Sequence, residues 1–238
     1  MQQLRLDKII SDSAGVTRSE ARGLIKAGSV SVDGAVVKSP ELKLDPENCR
    51  IICAGRQLCT ARFRSFMMNK PAGVLSATED REQQTVIDLL PEELLGLGLF
   101  PVGRLDKDTT GLLILTNDGE LSHRVTSPRH AVKKRYELTV EGELETEDIL
   151  ALAEGIELRD GTKCRPARLE PDERAPSHGF ITISEGKYHQ VKRMLAALGK
   201  PVKELKRCSE GGLKLDENLL PGQVRELSKD EITLLFTD

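Results

Sequence analysis

The chain has 238 residues, with 38% hydrophobic and 31% charged side chains. That length and composition give one large or two unequal folded domains and exclude collagen-like, low-complexity and wholly disordered chains. No apolar run reaches the roughly 18–20 residues that span a bilayer, and the first residues lack the apolar stretch of a secretory signal. Five cysteines in a chain this long do not make a disulfide scaffold, so the expected location is cytoplasmic. The net charge of −3 conceals an asymmetry. Residues 1–70 carry 12 Lys and Arg against 7 Asp and Glu, a net +5, and the remainder carries 23 against 31, a net −8. A basic front end on an acidic body suits a polyanion-binding module joined to a second domain, although ordinary patchiness produces such differences too.

In chain order, Leu6, Ile9 and Ile10 have helical spacing. A second helix is better marked, because Thr17-Arg18-Ser19-Glu20 has the capping-box pattern and Ala21, Leu24 and Ile25 form an apolar face. Gly28 stands where such a helix ends. Valines then alternate with small polar residues around the turn signal Asp33-Gly34, which predicts a hairpin over residues 29–37, with a further strand at 50–53. Residues 59–65 are polar and basic without a period and read as a linker. The expected division is residues 1–59, a linker at 60–65, and a larger domain over 66–238. In the second part, a short apolar run from Phe66 ends in the turn Asn69-Lys70-Pro71-Ala72-Gly73. Residues 85–90 and 91–95 read as helical, 111–116 as a buried strand and 121–125 as a short helix. Residues 136–140 read as a strand, 149–152 as a helix start, 180–183 as a strand and 190–198 as a helix. The mixture lacks the steady alternation of a doubly wound sheet, so the expected class is α+β with a mainly antiparallel sheet flanked by helices.

Several chemistries lack their motifs. Cys49, Cys53 and Cys59 do not have zinc-ribbon spacing and have no His nearby. Gly186-Lys187 lacks the rest of a phosphate-binding loop, Gly96, Gly98 and Gly103 miss the dinucleotide fingerprint, and neither H-E-x-x-H nor G-x-S-x-G occurs. The basic residues are more informative. Arg18, Arg22 and Lys26 recur every four residues on one helix face, as a row of phosphate contacts requires, and Arg5 and Lys8 add to that surface; a solvated helix face is the plain alternative. Residues 123–135 hold five Lys or Arg and two His with no acid, and residues 187–207 hold seven Lys or Arg with one acid. Residues 141–160 hold eight acids and one Arg, so basic and acidic stretches are segregated, as expected where one face holds phosphates. Aromatics are only 3% of the chain, which leaves one or two rings for a single base. Between these stretches, Asp106 and Asp108 stand in the loop before the apolar strand. They read as a paired acid and base, a cation site, or two plain turn aspartates.

The segment Gly103-Arg-Leu-Asp-Lys-Asp-Thr-Thr-Gly-Leu-Leu-Ile-Leu-Thr-Asn-Asp-Gly119 resembles the signature of the RsuA-type branch of pseudouridine synthases. Asn69-Lys-Pro-Ala-Gly73, Ser127-Pro-Arg-His130 with Lys134 and Tyr136, and Ser184-Glu-Gly-Lys-Tyr-His-Gln-Val-Lys-Arg-Met194 match the same branch in the same order. Residues 5–53 resemble the S4 RNA-binding module that precedes the catalytic domain there. Arg135 departs from the pattern, at a position where a small polar residue, often Thr, is usual.

The resemblance implies an isomerase that converts uridine to its C-glycoside isomer within ribosomal RNA, without a metal, nucleotide or redox cofactor. It implies that Asp106 is the nucleophile, that Tyr136 lies against the flipped base and helps remove the C5 proton, and that Lys192 keeps Asp106 ionised and oriented. Arg104 would hold the opened RNA, with Arg129, His130, Lys134, His189 and Arg193 as further RNA contacts beside Arg18, Arg22 and Lys26 of the S4 module. The Ser-Pro-Arg-His stretch and the modest length resemble the small-subunit (16S) enzymes, acting as a monomer on rRNA or a partly assembled subunit. Large-subunit rRNA as substrate, a non-catalytic assembly factor on the same fold, and a hydrolase using Asp106 with Asp108 are the alternatives.

Overall fold

The structure is a computed structural model that describes residues 3–46, 49–58 and 63–237. Its packing divides the chain after Phe63 into two compact units. Cys59 and residues 60–62 of the expected linker lie outside the described residues, and Ser65, expected as the linker's end, is instead the buried first residue of a strand.

The first unit runs β1 (Leu4–Arg5), α1 (Leu6–Ala14), α2 (Arg18–Lys26), β2 (Val30–Val32), β3 (Ala35–Val36), β4 (Lys43–Leu44), β5 (Ile51–Cys53) and β6 (Arg56–Gln57). Four strands form one small antiparallel sheet in the order β3-β2-β5-β6, and β1 pairs with β4. The α2 cap forms as the spacing predicts: the Thr17 hydroxyl accepts from the Glu20 N–H, and the Glu20 carboxylate accepts from the Thr17 N–H. Gly28, just past the helix end, has φ +77°, which glycine adopts without strain. Leu6, Ile9 and Ile10 of α1 meet Ala21 and Ile25 of α2 over Val30, Val32 and Ile51 of the sheet, which makes the apolar core of this unit.

One buried group in this unit is charged. Asp7 is sealed from solvent, and its carboxylate accepts from Arg5 Nε and Arg18 at one oxygen and from Arg5 and Arg22 Nε at the other, all at 2.9–3.1 Å. Bonding to these arginines, Arg5 foremost, holds its pKa far below the usual carboxylate range. Three guanidinium groups converge on this one carboxylate; Glu41 lies 3.5 Å from Arg5, and Arg18 and Arg22 are about half exposed.

The second unit runs β7 (Ser65–Lys70), α3 (Glu92–Leu95), β8 (Phe100–Pro101), β9 (Thr110–Thr116), α4 (Gly119–Thr126), β10 (Lys134–Val140), α5 (Thr146–Glu154), β11 (Arg168–Asp172), β12 (Ala175–Ile183), α6 (Gln190–Ala197), β13 (Val202–Glu210), β14 (Leu213–Lys214), β15 (Val224–Glu226) and α7 (Lys229–Leu234). Its strands form one central sheet in the order β11-β12-β10-β13-β9-β7-β15, with β8 on β9 and β14 on β13. Every pairing is antiparallel except β9 with β13. Strands β7 and β9 are covered on both faces: Phe66, Met68, Leu113 and Leu115 enter the larger core, and Met67, Leu112 and Ile114 enter a second core with α4 and α7. That double burial explains the near-continuous apolar runs of both strands. Strand β10 alternates instead, with Tyr136, Leu138 and Val140 inward.

Residues 85–90 are not helical. Leu75 and Thr85 form an isolated bridge, and the Asp88 carboxylate accepts from both the N–H and the hydroxyl of Thr85. Buried Val86 and Leu90 have helical spacing, but the Asp88 side chain diverts the backbone into a turn. Helix α5 begins at Thr146, three residues ahead of the expected start, because Glu145 and Asp148 form a capping box.

Candidate active site

Asp106 lies in the loop of residues 102–109 between β8 and β9, and that loop is fixed from several sides. Val102 and Leu105 are buried, and the Val102 N–H donates to the Ile114 carbonyl at 2.8 Å. The buried Ser76 hydroxyl accepts from the Leu105 N–H at 3.1 Å and donates to the Leu105 carbonyl at 2.9 Å. Lys70, at the end of β7 and fully buried, donates from Nζ to the carbonyls of Pro71, Lys107 and Thr109 at 3.0, 3.2 and 2.9 Å. The Gly73 N–H also donates to Lys107 O, at 2.8 Å. The segment from Asn69 to Gly73 is therefore a brace for the Asp106 loop. The sequence marks this segment as a turn and as part of the family resemblance, but nothing in the local pattern distinguishes a buried lysine from a surface one. Burial pushes the Lys70 ammonium down to about 8, against the nearby Asp108 and Asp106 charges that raise it.

The Asp106 side chain is 24% exposed and opens on a shallow cleft lined by Arg104, Tyr136, Lys187, His189 and Lys192 among others. Lys192 Nζ is 3.3 Å from Asp106 Oδ2, and His189 Nε2 is 3.4 Å from Asp106 Oδ1. Both come from the start of α6, which thereby aims two nitrogen groups at the two carboxylate oxygens. Lys192 also donates to Asp108, whose side chain is 75% exposed, and this bond holds the Asp108 pKa below its ordinary value. A general acid needs the opposite shift. The pairing of Asp106 with Asp108 as acid and base therefore has no support in this geometry.

Tyr136 forms the cleft floor. Burial raises its phenol pKa, with buried Arg207 working the other way, so it keeps its proton at neutral pH. A protonated phenol offers a flat surface and a hydrogen-bonding hydroxyl. Behind it, Arg207 donates from Nε to Leu112 O at 2.7 Å and lies 3.4 Å from the buried Glu210 carboxylate. Arg207 was counted in the basic stretch expected to meet phosphates; it is buried and faces the interior.

The other expected RNA contacts separate into two groups. Arg104, Arg129 and His130 are exposed, as are Arg18, Arg22 and Lys26 in the first unit. Lys134 is turned inward: its side chain is 12% exposed, bonds the Val132 carbonyl at 2.8 Å and lies 3.7 Å from Glu210. It buttresses the strand rather than presenting a charge to a ligand, a correction to its expected role. Arg193 pairs with Asp160. Arg135, the departure from the family pattern, reaches outward to Glu170 and lies over the Phe180 ring.

A family model described as RNA pseudouridylate synthase matches residues 64–197, and one described as the S4 domain matches residues 4–48. The chain belongs to the RNA pseudouridine synthase family. Members of this family are isomerases, and this one carries an N-terminal S4 domain. The synthase is 44% identical over 98% of both chains to the "Uncharacterized RNA pseudouridine synthase YtzG" of Bacillus subtilis (strain 168). It is 43% identical to the "Ribosomal small subunit pseudouridine synthase A" of Escherichia coli (strain K12), across 96% of this chain and 98% of that relative. A solved structure described as "Crystal structure of pseudouridylate synthase" aligns with a TM-score of 0.69 at 41% identity, covering 98% of this synthase and 99% of that chain. Among the described residues, no helix is long and apolar enough to cross a membrane.

Proposed function

We propose that this synthase isomerises a specific uridine of ribosomal RNA, most specifically of the small-subunit (16S) RNA, with Asp106 as the nucleophile toward a flipped-out nucleotide. The observation that carries the reading is the Asp106 carboxylate itself: reachable from an open cleft, held on a braced loop, and met at its two oxygens by Lys192 and His189. The Lys192 ammonium, 3.3 Å from Oδ2, orients the carboxylate toward the cleft. The uridine leaves its stack and enters the cleft above Tyr136. The N1–C1′ bond breaks while an Asp106 oxygen bonds the sugar or the base. The base turns, C5 bonds to C1′, the bond to the Asp106 oxygen breaks and frees the carboxylate, C5 gives up its proton and N1 gains one. RNA mass is unchanged.

The exposed Arg104, Arg129 and His130 serve the phosphates of the opened strand, and Arg18, Arg22 and Lys26 serve those along the S4 unit. His189 and Arg193, at the start of α6, complete the substrate contacts. The small-subunit assignment is supported by 43% identity across nearly the full chain to relatives of that name. Pseudouridine mapping of all rRNA from cells with and without this gene tests the reading. Loss of one 16S mark is the expected result. A lost large-subunit mark moves the substrate, and an unchanged map refutes the assignment to rRNA.

A further inference from the structure

We infer that Tyr188 is a stacking platform for the RNA base that flanks the everted uridine, an inference that rests on the reading of the cleft as a uridine-isomerising site. Tyr188 is 76% exposed, the most exposed large hydrophobic side chain among the described residues. Its ring is nonetheless ordered against another: it stacks on His189 with centroids 3.9 Å apart and planes 18° apart. The His189 ring in turn is 3.4 Å from the Asp106 carboxylate. Asp106, His189 and Tyr188 thus form a continuous series from the carboxylate outward to an exposed ring. The imidazole covers one face of the phenol ring, and the high exposure leaves the other face open.

The turn that presents these rings is held from beneath. Gln190 is buried; its side-chain oxygen accepts from the Lys187 N–H at 2.9 Å, and its side-chain nitrogen donates to Glu185 at 2.8 Å. His189 itself has φ +47°, a left-handed conformation that residues with side chains seldom adopt. Strain of this kind persists where surrounding bonds impose it, and here it directs the imidazole toward Asp106. Arg193, which also pairs with Asp160, donates to the Tyr188 carbonyl at 3.5 Å and so helps hold the turn.

An open aromatic face is a surface on which a nucleobase stacks. Everting one nucleotide strips stacking from its neighbours, and an exposed aromatic ring replaces one of the lost surfaces. Any base has a π face, so the contact tolerates sequence and contributes affinity rather than base choice.

The test is steady-state kinetics of the full chain on an rRNA fragment holding the target uridine, with Tyr188→Ala, Tyr188→Phe and Tyr188→Trp. Each enzyme is also assayed on RNA made abasic at one or the other flanking position. Loss of one base–aromatic stack lowers kcat/KM of Tyr188→Ala by about 5- to 150-fold, carried by KM. The Phe and Trp variants stay within about threefold of wild type. At one flanking position the abasic RNA abolishes the difference between wild type and Tyr188→Ala. An unchanged KM, a loss carried by kcat, or an equal loss on both abasic RNAs overturns the inference. Wild-type enzyme that forms no pseudouridine in this assay defeats the underlying reading instead, so the two failures are distinct.

Discussion

At the level of single side chains, Lys192 is poised to set the direction of the Asp106 carboxylate. Lys192→Gln removes the cation while leaving a side chain of similar reach, so kcat is expected to fall by at least about a hundredfold, with partial recovery in Lys192→Arg. Single-turnover kinetics on the target RNA separates that loss from a change in binding. Asp108→Asn, at a largely exposed position, is expected to cost less than about tenfold in the same assay. Lys70 supplies a pH signature. Its folded pKa, about 8, lies below the ordinary lysine value of 10.5, so between the two the unfolded chain binds more protons than the folded one. The burial penalty is thus complete below about pH 8 and relieved as pH rises toward 10.5. The stability of wild type relative to Lys70→Met should therefore increase across that window in denaturant titrations. Lys70→Met also strips the donor from the Lys107 and Thr109 carbonyls, and a fall in kcat follows from a loosened Asp106 loop. Asp106 was legible in the sequence because its loop carries a long family signature. Lys70 and Tyr188 were not, because burial of one and exposure of the other depend on distant chain segments.

Among the elements, those with a strong local code were legible. Helix α2 has its capping box and 3.6-residue period, and the β2–β3 hairpin has its Asp-Gly turn. Strand β13 was missed because its inward positions include Arg207 and Glu210, which invert the usual alternation and make a buried strand look like a basic surface. The same strand explains a glycine. Gly111 has φ +97°, and a Cβ there would lie 2.3 Å from the Arg207 carbonyl oxygen, at the parallel pairing of β9 with β13. Gly111→Ala is accordingly expected to destabilise the fold by at least about 2 kcal/mol, read from chemical denaturation. In the first unit, Asp7 ties α1 to α2 through the arginines. Its folded pKa is depressed, so its stabilisation is present above the unfolded carboxylate range near pH 4 and is lost as pH falls below it. The stability gap between wild type and Asp7→Asn should narrow on acidification below pH 4, which thermal melts across pH would record.

Across the whole molecule, the α+β class, the mainly antiparallel sheet and the N-terminal S4 domain were readable from pattern and resemblance together. Strand order was not, because the parallel pairing of β9 with β13 joins residues about a hundred positions apart and leaves no local trace. That contact sets β9, which follows the Asp106 loop, beside β13, which follows α6 and its Lys192. The central claim concerns the one carboxylate that this topology delivers to the cleft. Purified wild type and Asp106→Asn should be compared on unmodified 16S rRNA, with pseudouridine read by chemical mapping and RNA binding measured in parallel. The expected result is a single modified uridine with wild type, none above background with Asp106→Asn, and RNA binding by both. Modification by Asp106→Asn at a rate near that of wild type would contradict the nucleophilic role.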